Sequence, residues 1–317
     1  MCKSILFLQE IRGMKVLFLS YTQTGQTNAI VQSFAKGFSE AECVFESIQP
    51  VHPFPFPWTT FQFFNAFPET FSQQPIPLQP LSIFNENSFD LIVLAYQPWF
   101  LTPSPPIASF LQSAEAQQLL KNKPVITLIG CRNMWLGAQE KVKTHLLRLQ
   151  ANLIGNIALV DRTDNVKSVI TILRWMLTGK KDAFWFFPPA GVANSDIQHL
   201  ELLGKEAYTA MKTNEIGTLQ SKLNNLGAIE VKPNLVLLEQ RGQKAFGIWS
   251  KFIGNANPTS LQRKIRVGIF SFLLPTAVFI LSPLLTIMSA ILLHLNKDKL
   301  TAIANQFKQN QKVDFFK

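Results

Sequence analysis

Five short apolar runs recur between helical patterns through the first 165 residues, and this alternation leaves few folds open to the chain. The runs are Lys15–Ser20, Cys43–Ile48, Phe89–Ala95, Pro124–Ile129 and Ile154–Val160. Phe89–Ala95 reads Phe-Asp-Leu-Ile-Val-Leu-Ala, the nearly continuous apolar pattern of a parallel strand covered on both faces. Helical patterns intervene at about Thr27–Ser39, Ile107–Leu120 and Gly137–Gln150. Parallel neighbours must be joined by crossovers, so the alternation predicts an α/β fold with a doubly wound, five-stranded parallel sheet.

Such sheets bind ligands outside the carboxyl ends of their strands, near the switch in strand order. Three loops are expected there. The first follows Ser20 and runs Thr22-Gln23-Thr24-Gly25-Gln26-Thr27 into a helix. Unpaired N–H groups and the positive dipole end of a helix start favour a phosphate. Gly25 permits close backbone approach, and the threonine hydroxyls can donate to phosphate oxygens. The loop has no lysine and a single glycine, so it matches neither a P-loop nor a dinucleotide fingerprint. A terminal phosphomonoester held by neutral donors, or simply a capped helix start, remains open.

The second loop, Gln97-Pro98-Trp99-Phe100, offers flat side chains that can wall a planar ring. The third, Gly130-Cys131-Arg132-Asn133-Met134-Trp135, combines a glycine with polar donors for a ring edge. Trp99 and Trp135 fit equally as interior aromatics. Arg132 is a candidate to stabilise an enolate oxygen, and Asp161, just past the fifth strand, a candidate catalytic carboxylate, with Asp164 nearby; each is also at home in an ion pair. Three widely spaced cysteines argue against a disulfide framework and for a reducing compartment, with Cys131 filling space. Four scattered histidines give no metal-ligand spacing, and no metal is expected.

Residues 50–80 hold eight prolines and eight aromatics, including Pro53-Phe54-Pro55-Phe56-Pro57-Trp58. That density forbids a long helix and predicts an insertion folded over the sheet edge, as a lid on a greasy substrate or as padding. Beyond 165 the pattern turns mostly helical, with helices expected at Val166–Leu177, Ser195–Lys212 and Ile216–Asn225. Of the net charge of +10, residues 1–226 carry 18 basic against 16 acidic groups and residues 227–317 carry 12 against 4. The basic excess is therefore C-terminal, where it flanks 27 residues without charge, Val267–Leu293. As a helix this run spans about 40 Å against a hydrocarbon core of about 30 Å. Pro275 and Pro283 suggest a bent span or a re-entrant hairpin, or else a buried core helix, and Arg263, Lys264, Arg266, Lys297 and Lys299 read as contacts to anionic headgroups. The expected divisions are a frayed or misassigned start at 1–13, a ligand-binding domain at 14–165, a helical extension at 166–260 and a membrane segment at 261–317.

The first loop matches the flavodoxin Thr-X-Thr-Gly-X-Thr pattern at every fixed position. More narrowly, Pro53–Trp58, Leu94–Phe100, Ile129–Trp135 and Arg174-Trp175 resemble the flavoproteins of bacterial dialkylresorcinol biosynthesis, labelled condensing enzymes, over most of residues 14–226. The resemblance implies a flavodoxin-like fold and FMN as cofactor, held by Ser20, Thr22, Gln23, Thr24, Gly25, Gln26, Thr27, Gln97, Pro98, Trp99, Phe100, Gly130, Cys131, Arg132, Asn133 and Trp135. It also implies a pathway in which a ketosynthase partner joins two acyl-derived chains into a cyclohexanedione that the flavoprotein aromatises. Alternatives are an NAD(P)H:quinone reductase and a non-catalytic flavodoxin-like membrane protein. The expected partners are an alkyl-chain cyclic substrate, the ketosynthase and an anionic membrane, with a homodimer left open and no nucleic acid. The expected location is the cytoplasmic face of the inner membrane.

Overall fold

The computed structural model describes residues 13–83, 88–311 and 313, without the side chains of 165, 234 and 281–297. The start expected to be frayed or misassigned lies, apart from Gly13, outside the described residues. The strands are β1 (Lys15–Ser20), β2 (Glu42–Ser47), β3 (Leu91–Tyr96), β4 (Pro98–Trp99), β5 (Thr102–Pro103), β6 (Pro124–Cys131) and β7 (Asn152–Val160). The helices are α1 (Gln26–Ala35), α2 (Thr60–Asn65), α3 (Phe67–Phe71), α4 (Pro105–Phe110), α5 (Ala114–Leu120), α6 (Leu136–Arg148), α7 (Asn165–Thr178), α8 (Asn194–Lys212), α9 (Leu219–Asn225), α10 (Pro233–Gly254) and α11 (Leu261–Lys308).

Five strands form one sheet in the order β2-β1-β3-β6-β7, with every neighbouring pair parallel. Setting aside the small β4–β5 hairpin, this is the 2-1-3-4-5 order of the flavodoxin-like doubly wound fold. The order reverses between β1 and β3, so the loops that follow these two strands open side by side. All six residues of β3 are buried, whereas in the edge strand β2 Glu46 alone is, which explains their different sequence patterns.

The two faces can be read from β6. Thr127 faces α6, accepting from Gln139 Nε2 at 2.9 Å, while a Cβ on Gly130 would lie 2.7 Å from Ile30 of α1. Residues three apart on a strand point to opposite faces, so α1 and α6 lie on opposite sides of the sheet. α8 completes the α1 layer. Gly37 and Gly204 meet so closely there that a Cβ on Gly37 would lie 2.3 Å from the Gly204 carbonyl carbon. The single helix expected over Ile107–Leu120 is two, because the Ser113 hydroxyl accepts from Ala116 N–H at 3.1 Å and starts α5 afresh.

The C-terminal region departs most from expectation. α11 is one uninterrupted helix of 48 residues through both Pro275 and Pro283, so the re-entrant hairpin is not formed. Val267 and Phe270 pack with Phe64, Phe67 and Ile253, and Leu300, Ala304 and Phe307 join the main core. The start of the apolar run and the part of α11 beyond the undescribed side chains thus both rest on folded protein. Among the described residues no helix is long and apolar enough to cross a membrane. Arg263, expected at lipid headgroups, is fully buried and binds Asn65 and Glu69 of the insertion. The insertion is therefore bolted to α10 and α11 through α2 and α3, and Phe64 and Phe67 are core rather than a free lid.

Candidate functional site

The loop after β1 is built as a cradle. Gly25 takes φ 83° as the residue before α1, a conformation that strains any residue with a Cβ. No side chain caps α1, and its first turn carries no acidic residue, so the alternative of an ordinary side-chain-capped helix start is not what is formed. Open space lies above Gly25, where a Cβ would meet nothing within 4 Å. Thr22 Oγ1 accepts from Gly25 N–H at 3.0 Å and folds the loop, Thr24 is half-exposed, and Thr27 is buried. Ser20, also buried, ends β1 opposite Ala95 of β3 and Ser47 of β2.

Two glutamines fasten this cradle from either side. Gln23 donates to the carbonyls of Phe54 (3.3 Å) and Pro55 (2.8 Å) in the insertion, and its Oε1 accepts from Tyr21 Oη. Burial pushes the Tyr21 phenol well above its ordinary range, so it stays a neutral donor. Gln26 exchanges two hydrogen bonds with the backbone of Val192, both 3.2 Å. The segment leading to α8 therefore lies across the loop as a strap. Gly191 (φ 87°) makes this possible, since a Cβ there would lie 2.7 Å from Gln26 Oε1 and 2.8 Å from Trp175.

The second loop stands beside the first. Gln97, its amide oxygen turned to the donors, accepts from Trp99 Nε1 at 3.1 Å and Gln23 N–H at 3.2 Å, and the amide's other end lies 3.5 Å from Thr27 Oγ1. Pro98 and Trp99 pair with Pro103 and Thr102 in the hairpin. Phe100 and Leu101 at its tip both take positive φ, 49° and 63°, where glycine and asparagine are the usual residues. Such strain of roughly 1–3 kcal/mol persists only where packing over-determines it, and it clusters at functional sites. Here Gln243 of α10 donates to Leu101 O at 2.6 Å, while Phe100 packs against Phe63 and Phe67 at centroid distances of 5.0 and 5.2 Å. Phe100, expected to wall a planar ring, is thus committed to the insertion. Trp99 remains half-buried, edge-on to Tyr21 (6.1 Å), Phe54 (5.1 Å) and Trp58 (5.6 Å). Trp58 Nε1 is buried without an acceptor among the described residues.

The third loop divides. Gly130, Cys131, Arg132 and Asn133 lie half-buried at the carboxyl end of β6, but Trp135 is buried edge-on to Phe307 of α11 at 6.3 Å. Burial pushes the Cys131 thiol far above its ordinary range, and the charges of Glu239 and Asp161 add to the shift. Asp161 is buried, with Oδ1 accepting from Thr163 N–H (2.9 Å) and Oδ2 from Ser168 Oγ (2.7 Å). Its charge acts on Arg132, whose guanidinium is pulled downward by burial and held up by Asp161. Both oxygens of Asp161 are engaged within its own segment, by Thr163 and Ser168.

One group at this edge escaped sequence reasoning. Glu239 of α10, 0% exposed, accepts from Gly137 N–H at 2.7 Å and Leu136 N–H at 3.2 Å at the start of α6. Burial raises its carboxyl to about 7 against the pull of these donors and of Lys141. Nothing in the apolar periodicity of α10 marks it. Gly137, where a Cβ would lie 2.1 Å from Gln243 Nε2, is the sole local sign that a helix approaches so closely. Among the described residues no group of three His, Cys, Asp or Glu side chains is placed to hold a metal.

No protein-family model matches the chain, and no curated protein matches it. Solved structures with similar folds include a flavoprotein from Lactobacillus acidophilus crystallised with FMN, 15% identical, covering 46% of this chain and 93% of its own, TM-score 0.37. An archaeal flavodoxin is 10% identical over 63% of this chain and 99% of its own, TM-score 0.35. A WrbA-like flavodoxin from Agrobacterium tumefaciens is 11% identical over 63% of this chain and 98% of its own, TM-score 0.36.

Proposed function

We propose that this chain binds FMN at the three loops and works as an oxidoreductase that aromatises a dialkyl cyclohexanedione in dialkylresorcinol biosynthesis. The observation that carries the reading is the uncapped, lysine-free start of α1 under open space, with the half-buried Trp99 ring beside it. A dianionic phosphate suits N–H groups and hydroxyls in that arrangement. Trp99, anchored through Gln97, would offer an edge or face to the flavin ring.

Aromatising such a dione removes two hydrogens from the ring, one as a proton beside a carbonyl and one as a hydride. Bound flavin supplies the two-electron acceptor. The residues of the chain then bind and orient. Arg132, in the field of Asp161, would hold the substrate oxygen on which negative charge grows as the proton leaves. The aromatic wall of Phe54, Trp58 and Trp99 would exclude water from the ring and accept its alkyl substituents. A ketosynthase would supply the dione, and so lipidic a substrate favours action at the cytoplasmic face of an anionic membrane.

The test is the spectrum and the turnover of the purified full-length chain. The reading expects a yellow protein, or uptake of added FMN, and conversion of a dialkyl cyclohexanedione to the resorcinol. A colourless protein that takes up no FMN overturns the cofactor. Rapid anaerobic bleaching by NADPH with quinone turnover, and no dione conversion, would replace the aromatase with a quinone reductase.

A further inference from the structure

The connection from α7 to α8 carries a feature that neither the core nor the cofactor site uses. Phe184 and Phe187 exchange both backbone hydrogen bonds, Phe184 N–H to Phe187 O at 3.1 Å and Phe187 N–H to Phe184 O at 2.8 Å, closing a two-residue turn. Their rings stack at 4.8 Å, and the Arg174 guanidinium lies 4.4 Å over Phe184. Asp182 fixes Arg174 in turn, through its carbonyl oxygen at 2.7 Å and its carboxylate at 3.2 Å.

This braced turn holds its two central side chains in water. Trp185 is 92% exposed and Phe186 72%. Trp185 also takes φ 49°, a left-handed conformation that costs a bulky residue about 1–2 kcal/mol. Phe186 packs on Phe187 with ring centroids 4.3 Å apart, yet both Trp185 and Phe186 leave most of their surface in water. A strained turn that displays large aromatics instead of burying them fits a contact outside the chain.

The chemistry of the surroundings selects the contact. Lys180 and Lys181 are exposed at the base of the turn, and the charge of Arg174 is already matched by Asp182. Two side chains of about 150–250 Å² each fall well short of the roughly 1,200 Å² of a stable protein interface, whereas a bilayer needs no shape complementarity. Tryptophan settles at the headgroup level, and each nearby lysine gains about 1 kcal/mol from anionic lipid. We propose that the 184–187 hairpin docks the protein on anionic lipid surfaces, Trp185 and Phe186 entering the headgroup region and Lys180 and Lys181 facing the phosphates.

The returning strand of the hairpin becomes the strap, with Ala190 N–H bonded to Lys181 O at 2.8 Å and Val192 to Gln26. Docking would therefore bring the loop after β1 to the membrane. That purpose rests on the lipidic substrate proposed above; the contact itself does not.

The experiment is co-sedimentation of the full chain with phosphatidylcholine vesicles, with and without about 30 mol% phosphatidylserine, at low and high salt. Binding to the anionic vesicles is expected, and the double variant Trp185→Gly, Phe186→Ser should weaken it at least tenfold. Glycine relaxes the backbone at position 185 while Phe186→Ser gives up one exposed ring contact with Phe187, so the double variant should melt close to wild type, which separates docking from folding. Lys180→Gln with Lys181→Gln should lower affinity for anionic vesicles only. Wild-type affinity in the Trp185→Gly, Phe186→Ser variant would overturn the proposal and move any binding to α11. Indifference of the wild-type chain to both vesicles would also overturn it, pointing the turn at a protein. Failure of the wild-type chain to take up FMN would sink the flavin reading and leave the docking result standing.

Discussion

Arg263 on the first turn of α11 donates to both carboxylate oxygens of Glu69 on α3, at 3.0 and 2.7 Å, from a position with no solvent exposure. Its other donors are met by Asn65 Oδ1 and O, both at 2.8 Å, and by Ile253 O at 3.2 Å. One guanidinium therefore ties the insertion to the two C-terminal helices. Arg263→Met leaves Glu69 and Asn65 without their cation. The expected loss is about 3 kcal/mol, the lower part of the range for breaking a buried pair because Glu69 is partly solvated. Urea unfolding checks it, and an unchanged midpoint would show that the insertion is held by its aromatics alone.

Glu239 should make stability depend on pH in an uncommon direction. Its carboxyl is raised from 4.5 to about 7, so between these values the folded chain keeps a proton that the unfolded chain has lost. The stabilisation is complete below pH 4.5 and declines as pH rises toward 7. Glu239→Gln keeps an acceptor for one of the two N–H groups, Leu136 or Gly137, while removing the titration. The stability of the variant relative to wild type should rise by roughly 2–3 kcal/mol between pH 5 and pH 8 in denaturant titrations. A flat difference would mean that Glu239 is ionised throughout.

Two glycines of positive φ should respond differently to alanine. At Gly25 the added Cβ meets open space, so Gly25→Ala costs only backbone strain, about 1 kcal/mol, yet it should weaken FMN uptake by crowding the cradle. At Gly191 the Cβ meets Gln26 and Trp175 within 2.9 Å, and roughly 2 kcal/mol or more is expected from strain and clash together. Melting curves distinguish the two. Equal losses would count against the strap.

Cys131 should resist iodoacetamide at pH 8, because burial and neighbouring carboxylates keep it a thiol. Rapid labelling of Cys131, read by mass spectrometry of the peptide, would mean that this half-buried thiol ionises in its ordinary range.

The sheet was legible because its signals are local. A run such as Phe89–Ala95, short and nearly continuous in apolar residues, reads as a strand covered on both faces, and the Thr22–Thr27 loop states its own backbone needs through Gly25. The fate of Phe100, Trp135 and Arg263 was not legible, since each is decided by a partner more than a hundred residues away or by a neighbouring insertion. The same holds for Val267–Leu293. Absence of charge records an apolar environment without saying whether lipid or protein provides it, and Val267 and Phe270 find theirs in Phe64 and Phe67. Glu239 left no pattern at all, because a lone acidic residue in an amphipathic helix looks like any solvated one.

The bond between Gln26 and Val192 joins residues 166 positions apart. A chain emerging from the ribosome folds from its N-terminus, so the loop after β1 can form on nascent polypeptide well before its fastening has been translated. The part of the chain that fastens the loop is thus made after it, and the order of synthesis sets the order in which the loop is closed.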